Sequence, residues 1–188
     1  MRHLLVLLMM VVALVCGAQS ADKLYSEGKK LYDAKQYTQA VVKLRAAAAK
    51  GHKKAQYRLG RCYDKGRGVA EDDKQAFYWY SKSAAQDYAK AQYEVGKSYR
   101  HGEGVEKDLK KAVEYFTRAA RQDNADAQLA LGKCYLKGKG VTADRAKAKS
   151  WIKKALKNEK DGKELKQKLQ KDAAAGDEDA RAILALAK

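Results

Sequence analysis

From Ala55 onward the apolar positions follow one order, and that order returns. Ala55, Leu59, Cys62 and Tyr63 share one face at helical spacing, which predicts a helix over 55–65. Gly66-Arg67-Gly68 breaks it, and Val69 follows as a plug for the turn. Asp72 then stands where a side-chain oxygen can accept the free N–H groups of a second helix. That second helix carries Ala76, Trp79, Tyr80 and Ala84. Ala91 and Ala127 each lie 36 residues after the preceding repeat alanine, and the whole order moves with them. Gly102-Glu103-Gly104 and Gly138-Lys139-Gly140 are the matching breaks; Val105 and Val141, then Asp108 and Asp144, keep register. The second helices read Ala112, Tyr115, Phe116 and Ala120, then Ala148, Trp151, Ile152 and Leu156. Small residues let helices approach and large ones fill the gaps between them, so this stripe reads as core. A period of roughly 20 to 50 residues marks a solenoid or array. Such a fold offers a surface to partners rather than a pocket for chemistry.

Both ends depart from the period. Residues 21–54 form a shorter relative: Gly28 stands 12 residues before Ala40, whereas Gly60 stands 16 before Ala76. The glycine loop is therefore missing there, and Asp33–Gln36 makes a tighter turn. Residues 158–171 are lysine-rich and helical in character. Asp179–Leu184 resembles Asp126–Leu131, as a truncated last first-helix that covers the apolar end of the stack. The first twenty residues are of another kind. Arg2 and His3 precede an apolar run from Leu4 to Val15 and then small residues, the pattern of a secretory signal peptide. The run is short for a bilayer span. Cleavage is expected after Ser20 or Ala18, leaving an exported chain, periplasmic or secreted, with no transmembrane segment. A lipid anchor on Cys16 would want a small residue where Val15 stands. The predicted division is 1–20 signal, 21–54 first repeat, then 55–90, 91–126 and 127–162, with 163–188 as capping helices.

These residues resemble the Sel-one-like repeat, a branch of the tetratricopeptide superfamily. The pattern is carried by Leu59-Gly60, Tyr63, Gly66, Gly68, Val69, Asp72, Ala76 and Trp79-Tyr80, and by their counterparts in the next two copies. Repeat three departs from it at Ile152 and Leu156. Residues 21–54 resemble a plain tetratricopeptide unit through Gly28, Tyr37, Ala40, Leu44 and Ala47. The resemblance implies an all-α, right-handed solenoid of antiparallel helix pairs. It also implies adaptor work: assembling complexes, envelope signalling, or host contact by secreted bacterial members. Some family members pair cysteines within a repeat; here each repeat has one cysteine or none, so that feature does not carry over.

Charge narrows the partners. The chain has 40 Lys and Arg against 23 Asp and Glu, a net +17. Such a balance speaks to association rather than fold. It suits an acidic protein or an anionic envelope polymer, with nucleic acid not expected for an exported chain. Cys62 and Cys134 are 72 residues apart, two whole repeats. A disulfide needs Cα atoms within about 7 Å, so they are read as core thiols without an internal bridge. His52 and His101 lack ligand-spaced neighbours, so no metal is expected. No nucleophile–base pair or phosphate loop is present either, so neither enzyme nor cofactor is expected.

The binding face follows from the resemblance, in which first helices line a concave groove. The residue after each repeat glycine faces that groove: Lys29, Arg61, Lys97 and Lys133. Four residues further on come Asp33, Lys65, His101 and Lys137, and three before the glycine stand Tyr25, Tyr57, Tyr93 and Leu129. The expectation is a basic, tyrosine-lined groove for a protein or peptide with an acidic segment, Arg61 holding a carboxylate bidentately. Single exposed ion pairs contribute only about 0–1 kcal/mol, but several acting on one ligand add up. The competing readings are a binder of anionic envelope glycan and a secreted host-interaction factor.

Overall fold

The computed structural model describes residues 19–187. Most of the expected signal segment, Cys16 included, lies outside the described residues. Those described form helices and no strand. In chain order they are α1 Ala21–Asp33, α2 Tyr37–Ala49, α3 Lys53–Asp64, α4 Asp73–Ala84, α5 Ala89–His101, α6 Leu109–Arg121, α7 Ala125–Lys137, α8 Arg145–Lys157, α9 Gly162–Ala174 and α10 Glu178–Ala187. Consecutive helices pack on one another, most extensively within the pairs α1–α2, α3–α4, α5–α6 and α7–α8. The result is a solenoid of antiparallel helix pairs.

Local chemistry sets the pairs. The side chains of Asp72, Asp108 and Asp144 accept the N–H groups of Gln75, Lys111 and Lys147, each at 2.9 Å, and so start the second helices. The first helices begin two residues before the predicted alanines. His52 Nδ1 caps α3 by accepting the Ala55 N–H at 3.1 Å, and Asn124 Oδ1 caps α7 from Ala127 at 2.8 Å. Within each pair a large residue of the second helix lies on the glycine of the first. A Cβ at Gly60 or Gly96 would sit 2.6 Å from the ring of Tyr80 or Phe116, and one at Gly132 2.7 Å from Ile152. Tyr80, Phe116 and Ile152 are buried; Trp79 and Trp151 lie half-buried against the cores of neighbouring pairs. Val69 and Val141 pack into those same cores, as plugs of their turns.

Successive repeats are joined by two devices. Gly68, Gly104 and Gly140 have positive φ, and a Cβ on any of them would overlap the backbone of Tyr37, Asp73 or Leu109 in the preceding repeat. Buried glutamines supply the second. The Nε2 groups of Gln56, Gln92 and Gln128 donate to the carbonyls of Ala48, Ala84 and Ala120 at 3.2, 3.4 and 3.2 Å. Gln86 and Gln122 then donate to Gln56 Oε1 and Gln92 Oε1 at 2.8 and 2.7 Å. The position equivalent to Gln86 and Gln122 in the third repeat is Asn158, one methylene shorter. Its amide turns to the Asp123 carbonyl at 2.9 Å, and the ladder ends at Gln128.

Cys62 and Cys134 are both buried and free, each in a core shared with the preceding repeat. Burial pushes the Cys62 thiol up to about 11 and raises Cys134 as well. Only about a thousandth of Cys62 is thiolate near pH 8. In the native protein both thiols should therefore stay unalkylated by iodoacetamide, and urea should release both; rapid labelling of either in the native state would contradict this packing.

The start of α10 repeats that of α7: Asp177 Oδ1 accepts the Ala180 N–H at 2.9 Å, as Asn124 Oδ1 accepts that of Ala127. α9 packs on α8 and touches α7, and α10 lies against α8 and α9. Leu169 of α9 and Ala180, Ile183 and Leu186 of α10 close the core over Leu129, Ala148 and Ile152.

Candidate functional site

The predicted groove residues lie on α1, α3, α5 and α7, one helix per repeat, except Lys65, which caps the end of α3. Several of the cations are already committed. Lys29 pairs with Asp33 at 2.7 Å, Lys65 with Asp64 at 3.3 Å and Lys97 with Glu94 at 2.7 Å. Lys137 pairs with Asp179 from α10. His101 is held back from becoming a cation: its Nε2 accepts from Arg100 Nε at 3.0 Å, and burial together with Arg100 holds the imidazole below its usual range. Among the described residues Arg61 and Lys133 form no ion pair.

The tyrosines form a floor rather than a fringe. Tyr25 stacks on His52 with ring centres 4.3 Å apart, Tyr57 meets Tyr88 edge-on at 5.3 Å, and Tyr93 lies 5.8 Å from Phe116. Burial pushes Tyr57 up to about 12 and raises Tyr93 too, so both stay neutral hydrogen-bonding groups. Arg61 is half-buried among this set, with Tyr57, Tyr32 and Tyr80 in its field.

The cations converge at the α5–α7 end. A cavity of about 380 Å³ is lined by Arg100, His101, Lys107, Lys133, Lys137 and Lys139, over a base that includes Ala112, Ala130 and Cys134. Its single carboxylate is Asp179. An adjoining cavity of about 180 Å³ is lined by Tyr93, Arg100, Asp126 and Lys133 together with Leu165, Leu169 and Asp172 of α9. Burial, with Arg100 next in effect, holds Lys133 below the ordinary lysine range, so an anion brought to it gains more than at an exposed lysine. Arg100 is positioned by Phe116, its guanidinium 5.5 Å from the ring centre. This set can hold carboxylates in a partly desolvated place, with aromatic floor beside them.

Sequence counting missed Arg100, which sits four residues after Gly96, one short of the position counted, and it missed the tail acids Asp172 and Asp179. Their signal was present in the charge pattern but not in the repeat register. A wider cleft of about 1190 Å³ lies elsewhere, at the turns between repeats, where Lys54, Lys90 and Lys157 mix with Asp87, Asp123 and Asp161. Its mixed sign gives it less anion preference than the α5–α7 cavity. Among the described residues no three His, Cys, Asp or Glu side chains are grouped as metal ligands, and no helix is long and apolar enough to cross a membrane.

Residues 53–88, 89–124 and 125–159 each match the Sel1 repeat, starting at the first residues of α3, α5 and α7. No curated protein matches the chain. Among solved structures, a Sel1 repeat protein from Oxalobacter formigenes is 35% identical with a TM-score of 0.69, over 73% of this chain and 56% of that one. The protective antigen c5321 of uropathogenic Escherichia coli, which displays an SLR fold, is 36% identical with a TM-score of 0.70, over 72% of this chain and 30% of that one. The chain thus spans little more than half of the first relative and under a third of the second. Helicobacter pylori cysteine rich protein B, at 24% identity and a TM-score of 0.50, shares the fold over 74% of this chain and 93% of its own.

Proposed function

The chain belongs to the Sel1 repeat family, a helical scaffold typical of protein–protein interaction, and we propose that it is an exported adaptor that holds an acidic protein segment. The groove of first helices is the binding face, and its working end is the cavity around Arg100 and Lys133. One observation carries this: cations from two adjacent repeats line two adjoining cavities that share Arg100 and Lys133, the smaller of them bearing Tyr93. Arg61 and the paired lysines Lys29, Lys65 and Lys97 extend the face toward the amino end, where a longer acidic ligand would exchange their internal partners. The signal-like first twenty residues support export, and the likeness to a protective antigen agrees with a place where host molecules are met. The role proposed is binding, without a reaction.

The test is direct. The mature chain, residues 21–188, should bind a short labelled peptide of alternating Asp and Glu. Arg100→Glu with Lys133→Glu should weaken that binding by roughly a hundredfold, two like-charge encounters in a partly desolvated site, while far-UV circular dichroism stays unchanged. Unaltered affinity in the double variant would remove the cavity from the binding face. A uronate oligosaccharide serves as the rival probe: if it binds and the peptide does not, an anionic glycan is the ligand instead.

A further inference from the structure

We infer that the carboxyl-terminal pair α9–α10 is a resident competitor for this cavity, and that the partner's recognised feature is an acidic helical first turn like the one α10 inserts. The inference rests on the groove reading above. Three observations from different elements meet here. Asp179, in the first turn of α10, pairs with Lys137 and is the sole carboxylate of the larger cavity. Asp172, from α9, faces Arg100 and Lys133 in the smaller one. Asp177 and Asp179 are the acidic groups whose fields reach Lys133. Of the cavity's cations, Arg100 and Lys133 thus already share it with tail carboxylates, to which the repeats add only Asp126 of α7 in the smaller cavity.

The resident turn is also well formed. Asp177 Oδ1 accepts the Ala180 N–H at 2.9 Å and starts the helix, while Arg181 Nε donates to the Ala173 carbonyl at 3.0 Å and ties α10 to α9. A helix start gathers carboxylates because its free N–H groups and dipole favour negative charge there. The cavity is therefore fitted to acids projecting from a helix start. Yet the resident ion pair is readily exchanged, while Ala180, Ile183 and Leu186 keep α10 seated in the core. The Lys137 and Asp179 side chains are 36% and 53% exposed, where an ion pair contributes little. A partner bringing several carboxylates at once would outcompete it, and the groove would stay covered until such a partner arrives.

The experiment compares the mature chain with Asp172→Asn/Asp179→Asn, which removes the two tail charges that line the cavities without adding bulk. The probe is the same alternating Asp-Glu peptide. If the tail covers the cavity about nine-tenths of the time, the double variant should bind about tenfold more tightly. Saturating peptide should also speed hydrogen exchange of the first-turn amides of α10 in the unaltered chain, since Asp179 is displaced from Lys137. Equal affinity of the two forms, with α10 as protected as before, would overturn the competitor and leave the groove standing. Failure of both forms to bind the peptide would overturn the groove reading and this inference together. A lowered melting temperature without any gain in affinity would reduce Asp172 and Asp179 to structural seats for the tail.

Discussion

Gly104→Ala is expected to destabilise the chain by about 3 kcal/mol or more, an unusually large effect for one methyl group. Two costs combine at this position. Its φ of +69° is a conformation that L side chains rarely adopt. In addition, the added Cβ would overlap the Asp73 carbonyl and approach the Lys74 nitrogen at 2.9 Å. Both obstacles are backbone at the start of α4, so no rotamer change relieves them. Gly102→Ala is the internal control. Its φ is +81°, but the nearest atom to a Cβ is 3.5 Å away. Only strain is added there, about 1–2 kcal/mol. Urea titrations followed by far-UV circular dichroism should separate the two variants clearly; matching midpoints would mean that the repeats do not meet as described.

Phe116→Ala should cost about 3–5 kcal/mol, the range for emptying a buried aromatic site. Phe116 is fully buried, lies on Gly96 and touches the Tyr93 ring. Phe116→Ile, the residue that repeat three places against Gly132, should cost far less, within about 1.5 kcal/mol, because volume and shape are nearly kept. The loss would reach the binding face as well. Arg100 lies over the Phe116 ring, so its guanidinium loses its platform in the alanine variant. Peptide affinity should therefore fall in Phe116→Ala under conditions where the chain remains folded, and calorimetry at low temperature would show it. Full stability in Phe116→Ala would contradict the glycine–aromatic seat.

Much of this architecture was legible because the period is written in residues whose roles are local. Asp72, Asp108 and Asp144 cap helices wherever the backbone offers free N–H groups, and glycine marks the left-handed turns. The stripe of Tyr80, Phe116 and Ile152 follows from helical spacing alone. Non-local pairings were not legible. The alignment of Gln56, Gln92 and Gln128 was visible at 36-residue intervals, yet a glutamine on a helix normally reads as surface. Only the neighbouring carbonyls of Ala48, Ala84 and Ala120 turn it into a buried ladder. The basic ladder was overcounted for the same reason. Counting finds cations but not their partners, and Glu94 and Asp64 lie on the same helices as the lysines they neutralise. Asp179 reached Lys137 from 42 residues away, through a tail whose packing no repeat register encodes.

The loop glycines all lean the same way. Gly68 rests on Tyr37, Gly104 on Asp73 and Gly140 on Leu109, each toward the amino end. Arg67 adds to this by donating to the Tyr32 hydroxyl at 2.6 Å, again backward along the chain. The stack therefore has a direction, like shingles laid from one eave. A chain emerging amino end first meets each seat already built when the next loop arrives, so assembly can keep pace with synthesis. Trimming from the carboxyl end leaves every remaining loop seated. Trimming from the amino end strips the support from the next loop in turn, so loss of the first repeat propagates inward while loss of the last does not.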